Sequence, residues 1–168
     1  PTGDWVDYTY VSGRLTSIKP NFSVSPAVTV AYDASGRVDG LTTGGGNWDY
    51  AYGTDWTSVT SPASSTDIAT TTFNATDQVL TRSVAGQVTQ FIYCIASDTA
   101  CPVGLLRQSV TPELQRANYQ YDPRGNVILV EMRDAADSNP IITSATYADT
   151  CANPVTCNRP LTTTDAAG

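Results

Sequence analysis

The sequence predicts an all-β chain made of tandem β-hairpins, and three observations carry that expectation. Only 15% of the 168 residues are charged, while Thr, Ser, Gly, Asp, Ala and Tyr are plentiful, a composition that suits short strands and turns better than helices. An aromatic residue returns at a steady interval: Tyr10, Tyr32, Tyr52, Phe73 and Tyr93 are separated by 22, 20, 21 and 20 residues. In the cleanest copies that aromatic leads straight into Asp-x-x-Gly, the signature of a tight turn.

The copies follow in order along residues 1–168, about seven hairpin units in all. Tyr8-Thr9-Tyr10-Val11-Ser12-Gly13-Arg14-Leu15 is the first and lacks the Asp. Val30-Ala31-Tyr32-Asp33-Ala34-Ser35-Gly36-Arg37-Val38 is the second and the most complete. Trp48-Asp49-Tyr50-Ala51-Tyr52-Gly53, Thr72-Phe73-Asn74-Ala75-Thr76-Asp77-Gln78-Val79 and Phe91-Ile92-Tyr93-Cys94 are weaker copies. Tyr119-Gln120-Tyr121-Asp122-Pro123-Arg124-Gly125-Asn126-Val127 restores the pattern, and Tyr147 opens the last unit. The interval stretches to 28 residues before Tyr121 and 26 before Tyr147, next to the cysteine-bearing stretches 94–101 and 151–157, which read as insertions.

The turn chemistry explains the residue types. Asp at the first position accepts a hydrogen bond from the backbone two residues on, Pro123 presets φ at the second, and Gly at the fourth takes a left-handed conformation, closing a hairpin with a bulge. Two strands of roughly five residues plus turn and linker come to about twenty residues, so one interval equals one hairpin. A lone hairpin is marginal in water; each unit must stack its Tyr, Val, Leu and Ile face on its neighbours, which makes neighbouring repeats the expected partners. The last residues, around Asp165 and Gly168, read as the turn of a hairpin stopped before its return strand. The chain is expected to continue in both directions, or to pair its exposed strand edges with another copy.

The recurring Tyr-x-Tyr-Asp-x-x-Gly-Arg-Val/Leu resembles the YD repeat of bacterial Rhs and wall-associated proteins, insecticidal toxin complexes and animal teneurins, and the resemblance runs from end to end. It implies a continuous antiparallel sheet, part of a spiral shell, rod or filament, that encloses a toxin payload or displays a surface. Two alternatives are an extracellular filament assembled by strand pairing between copies and an adhesin that binds cell-surface glycan. Rhs proteins close their shell with a core that cleaves itself using aspartates, but Asp122 to Asn126 reads as another repeat. No enzyme activity is expected.

Charge and chemistry narrow the classes further. The net charge is −7 without a single histidine, so no basic stripe is present for nucleic acid or an anionic bilayer. The longest apolar runs, such as Val127 to Val130, are too short for membrane insertion, and a signal segment would lie upstream. Without histidine there is no Ser-His or Cys-His dyad and no imidazole ligand, and no cofactor or metal is expected. Asp33, Asp77, Asp122 and Asp165 are assigned to turns rather than catalysis. Asp134 and Asp137 match no calcium loop. Trp5, Trp48 and Trp56 are a candidate glycan platform, weighed against packing. Asn21-Phe22-Ser23 and Asn74-Ala75-Thr76 match the glycosylation pattern. Neither cysteine pair has C-x-x-C spacing; Cys94 with Cys101 and Cys151 with Cys157 are expected as local disulfides, free buried thiols being the alternative, and bridges imply a secreted or cell-surface location.

Overall fold

A computed structural model describes residues 3–64, 66, 68–99, 101–151 and 153–166. The chain forms two compact units, Pro1–Gly86 and Gln87–Gly168, and no helix occurs among the described residues. In the first unit, β1 (Val6–Val11), β2 (Arg14–Pro20), β3 (Val28–Tyr32), β4 (Val38–Thr43), β5 (Gly46–Tyr52), β6 (Trp56–Thr60), β7 (Ile68–Phe73) and β8 (Val79–Val84) pair antiparallel in sequence order. The second unit carries β9 (Gln87–Tyr93), β10 (Leu106–Val110), β11 (Arg116–Tyr121), β12 (Val127–Arg133), β13 (Ile141–Thr146) and β14 (Thr162–Thr164) in the same manner. The all-β tandem-hairpin architecture is the one the sequence predicts.

Each outgoing strand ends on or beside the periodic aromatic, at Tyr10, Tyr32, Tyr52, Phe73, Tyr93 and Tyr121, with Tyr147 one residue past β13. The strands alternate between half-covered and exposed side chains: on β5, Trp48, Tyr50 and Tyr52 are half-buried, whereas Asn47, Asp49 and Ala51 are exposed. Cross-strand ladders join these faces. Val30 faces Leu41, which faces Trp48; Tyr50 faces Val59, which faces Ala69, which faces Val84. Such pairs are worth about 0.2–1 kcal/mol each. Among the described residues only Cys94 and Cys157 are buried, at 2% and 9% exposure, so stability is spread along ladders rather than gathered in a deep core.

Five-residue turns recur with one geometry. In Asp33–Arg37 the Gly36 N–H donates to the Asp33 carbonyl, the Arg37 N–H donates to Asp33 Oδ1, and Gly36 is left-handed at φ 82°. Asp122–Asn126 repeats every feature, with Gly125 at φ 85°. Asn74–Gln78 is the same turn and contains Asp77: Asn74 stands at the accepting first position, and Asp77, at φ 60°, takes the glycine's place. Aspartate tolerates the left-handed region because its short polar side chain bonds locally. Thr111–Gln115 and Asp134–Ser138 are two further copies, with Leu114 (φ 64°) and Asp137 (φ 60°) in the left-handed site. The first hairpin lacks its Asp because Ser12 and Gly13, both at positive φ (50° and 78°), make a two-residue turn that needs none.

The C-terminal reading is corrected. Thr162–Thr164 is itself a return strand, with Ser144 facing Thr164 and Thr146 facing Thr162, so β13 and β14 form a complete hairpin. Asp165 follows that return strand instead of an outgoing one, and Gly168 lies outside the described residues. The motif looked like an unfinished turn because the 15-residue gap between β13 and β14 hid which strand Thr162 pairs with.

Candidate functional site: the seam between hairpins

The periodic tyrosines join one hairpin to the next. Tyr32 Oη donates to the Leu15 carbonyl at 2.8 Å, Tyr52 Oη to the Val38 carbonyl at 2.7 Å, and Tyr121 Oη to the Leu106 carbonyl at 2.6 Å. Every acceptor faces the tyrosine of the preceding hairpin: Leu15 faces Tyr10, Val38 faces Tyr32 and Leu106 faces Tyr93. The contact therefore translates by one hairpin each time. A net 0.5–1.5 kcal/mol per bond is typical of half-buried hydroxyls.

The Gly-Arg half of the motif completes the seam. Arg14 lies over the Tyr32 ring with its guanidinium carbon 5.6 Å from the centroid, and Arg37 lies over Tyr52 at 4.4 Å. Arg37 is held there by Asp33 of its own turn, Nε to Oδ2 at 2.8 Å. A cation over an aromatic face contributes about 0.5–1 kcal/mol at exposed sites. Glycine at the left-handed position also leaves room for this stacking: a Cβ on Gly36 would run into the Arg14 guanidinium, and one on Gly125 would come within 3.3 Å of Leu105 Cδ1. Leu105 thus occupies at the sixth hairpin the place that Arg14 occupies at the second. At the seventh, Arg124 donates to the Ala148 carbonyl at 2.6 Å, beside Tyr147. Phe73 lacks the hydroxyl, and Tyr8 and Tyr10, on the outermost strand, are 58% and 60% exposed.

The turn carboxylates are occupied. The Asp33 carboxyl lies below the usual carboxylate range, chiefly through the Arg37 backbone N–H. Burial pushes the Asp122 carboxyl up, yet hydrogen bonds from the Asn126 side chain and backbone and from Arg124 outweigh it and bring the pKa to about 2. Asp134 is lowered by the Ser138 backbone N–H and hydroxyl, and Asp137 pairs with Arg116 at 3.4 Å and Arg133 at 3.7 Å.

Cys94 is joined to Cys101 and Cys151 to Cys157, each bridge closing a loop inside one hairpin. The first loop is pinned at its base, where the Cys94 N–H donates to the Leu105 carbonyl at 2.8 Å and the Gly104 N–H to the Cys94 carbonyl at 2.9 Å. The three tryptophans are not brought together. Trp48 packs in the ladder with Leu41; Trp56, at the other end of that hairpin, lays its indole over Gly53; Trp5 precedes β1 and is exposed. Asn74 spends its side chain on the turn, donating to Gln78 Oε1 and accepting from the Thr76 and Gln78 N–H groups.

One network escaped the sequence. Gln108 donates to Asn118 Oδ1 at 2.7 Å, Asn118 to Glu131 Oε2 at 3.3 Å, and Arg133 to Glu131 Oε1 at 2.7 Å, a polar row across β10, β11 and β12. Its members are neighbours only once the register is known, and the alternation of polar residues along Arg116-x-Asn118-x-Gln120 was the available signal.

The comparisons with known proteins reach no further than the fold class. Three crystal structures, of TcdB2-TccC3, TcdB2-TccC3-TEV and TcdB2-TccC3-Cdc42, are similar over 86% of this chain, with TM-scores of 0.44, 0.43 and 0.42 and identities of 13%, 14% and 13%. This chain spans about a tenth of the length of each. They share a β-rich fold with it. No protein family and no curated protein matches the sequence.

Proposed function

We propose that this chain is a non-catalytic structural array, a wall segment of an exported scaffold of the YD-repeat type, whose work is to extend a sheet hairpin by hairpin around a payload or along a cell surface. The observation that carries the reading is the seam: Tyr32, Tyr52 and Tyr121 each donate to a carbonyl of the preceding hairpin, and at Tyr32 and Tyr52 an arginine of that hairpin also stacks on the ring, so these motif residues are engaged in holding neighbouring hairpins together. The turn aspartates support it, because the Asp33, Asp122 and Asp134 carboxylates each accept backbone N–H groups of their own turn. Two local disulfides fit an oxidising, extracytoplasmic setting. A toxin shell is the form of scaffold that the Tyr-Asp-x-x-Gly-Arg resemblance favours.

The test is to incubate the purified chain with peptide, ester and glycan substrates. No turnover is expected, and Asp122→Asn should alter acid stability alone. Turnover abolished by Asp122→Asn would overturn the reading.

A further inference from the structure

The turn that leads to the Tyr121 joint is closed differently from the turn that leads to the Tyr52 joint. In Asp33–Arg37 the Asp33 N–H donates to the Arg37 carbonyl at 2.8 Å, the Gly36 N–H to the Asp33 carbonyl at 2.9 Å, and the Arg37 N–H to the Asp33 carboxylate at 2.9 Å. Val38, the next residue, offers its carbonyl to Tyr52. Residues 94–105 form an enlarged version of that turn. Cys94 follows Tyr93 as Asp33 follows Tyr32, and its N–H donates to the Leu105 carbonyl at 2.8 Å. The Gly104 N–H returns to the Cys94 carbonyl at 2.9 Å, Gly104 is left-handed at φ 85°, and Leu106, after Leu105, offers its carbonyl to Tyr121. The carboxylate is the missing part. A cysteine stands in its place, the Leu105 N–H turns to the Pro102 carbonyl at 3.2 Å, and the bridge from Cys94 to Cys101 ties the loop. Asp98 adds a weaker tie, accepting the Ile95 N–H and pairing with the half-exposed Arg107 at 3.0 Å.

We propose that the Cys94–Cys101 bridge takes over the role of the turn carboxylate and makes the Tyr121 joint redox-controlled, so that a dithiol reductant loosens it and reoxidation closes it. The inference rests on the reading of the seam as a structural joint and adds its regulation. Cys94 is 2% exposed, whereas Cys101 is half-covered and lines a surface cleft with Pro102, Tyr121 and Pro123, so the Cys101 sulfur is the one a thiolate reaches. Attack there breaks the S–S bond, expels Cys94 as a thiolate and leaves a mixed disulfide with Cys101. The reductant's second thiol then displaces Cys101. The dithiol departs as a disulfide, two electrons poorer, and its two protons end on Cys94 and Cys101. The freed loop regains conformational entropy. At its end stand Leu105 and Leu106, which meet Gly125 and Tyr121. The Asp33 turn holds no such bond, so Tyr52 keeps its acceptor in either redox state.

Hydrogen exchange of the full chain before and after dithiothreitol tests this, with thiol labelling to follow the bridges. A chain carrying Cys151→Ser and Cys157→Ser is run beside it, so that one bridge alone reacts. In both chains the amides of β10 and β11 are expected to exchange about tenfold faster after reduction and to recover on reoxidation, while β4 and β5 are unchanged. Tyr121→Phe should destabilise the oxidised chain more than the reduced one, whereas Tyr52→Phe should cost the same in both. Grafting Asp33–Arg37 in place of residues 94–105 should make β10 and β11 indifferent to the reductant. A bridge that stays intact in the folded chain, unchanged exchange once it is reduced, protection lost throughout β9–β14 in the serine variant, or equal Tyr121→Phe costs in the two states overturns the proposal. Those results leave the non-catalytic reading standing, since that one is judged by turnover.

Discussion

Gly13, Gly36 and Gly125 share one backbone strain and differ in what stands beside them, which turns a substitution series into a measurement of the seam. Their φ angles are 78°, 82° and 85°, so an L side chain meets the same left-handed cost at each, roughly 1–2 kcal/mol. At Gly13 alanine adds nothing else, because its Cβ enters open space. At Gly125 the Cβ presses on Leu105 Cδ1 from 3.3 Å and the leucine must yield by a few tenths of an ångström. At Gly36 it displaces the Arg14 guanidinium from the Tyr32 face, which forfeits a further 0.5–1 kcal/mol or so of cation–π attraction. Urea melts followed by tryptophan fluorescence should therefore rank the cost Gly13→Ala below Gly125→Ala below Gly36→Ala, at unchanged m. Asparagine should be gentler than valine at Gly36, because the chain itself places Asp77 and Asp137 at this turn position. Equal costs for Asn and Val, or for Ala at Gly13 and Gly36, would refute the reasoning.

Three further outcomes follow from the same geometry. Tyr52→Phe and Tyr121→Phe should each cost about 1 kcal/mol in denaturant melts, the worth of one half-buried hydroxyl bond, while a Phe73→Leu change leaves every seam hydrogen bond intact and is felt only as lost packing. The Asp122 carboxyl, at about 2 when folded against about 3.9 unfolded, contributes stability that is fully present above pH 4 and lost as pH falls towards 2; thermal melts across that window should show the loss, and Asp122→Asn should flatten it. Non-reducing peptide mapping should recover Cys94–Cys101 and Cys151–Cys157, and reduction should cost roughly 2.5 kcal/mol per bridge on the chain-entropy scale, with cross-paired or free thiols contradicting the pairing.

How much of this was legible in the sequence depends on how local the physics is. The hairpin at Tyr32-Asp33-Ala34-Ser35-Gly36-Arg37 could be read outright, because its turn is specified within five consecutive residues. Thr111–Gln115 and Asp134–Ser138 were invisible: Leu114 and Asp137 hold the left-handed position without glycine, at a strain the flanking strands impose. Thr111-Pro112 does mirror Asp122-Pro123, and that echo was the available clue. The aromatic interval located the tyrosines but gave no hint that each hydroxyl reaches back to the previous hairpin, since Tyr32 and Leu15 lie 17 residues apart and meet only through pairing of β2 with β3. The error at Asp165 has the same root, because the cysteine insertion separated Thr162 from its partner strand.

The central claim is that successive hairpins are energetically coupled through the motif residues, and a double-mutant cycle on Arg37 and Tyr52 tests it most directly. These two side chains belong to neighbouring hairpins and touch at 4.4 Å. Urea melts of Arg37→Ala, Tyr52→Leu and the double variant should give a coupling of about 0.5–1 kcal/mol, since each single change removes the stacking and the second then has nothing left to lose. A coupling indistinguishable from zero would contradict the seam and leave the hairpins joined by backbone ladders alone.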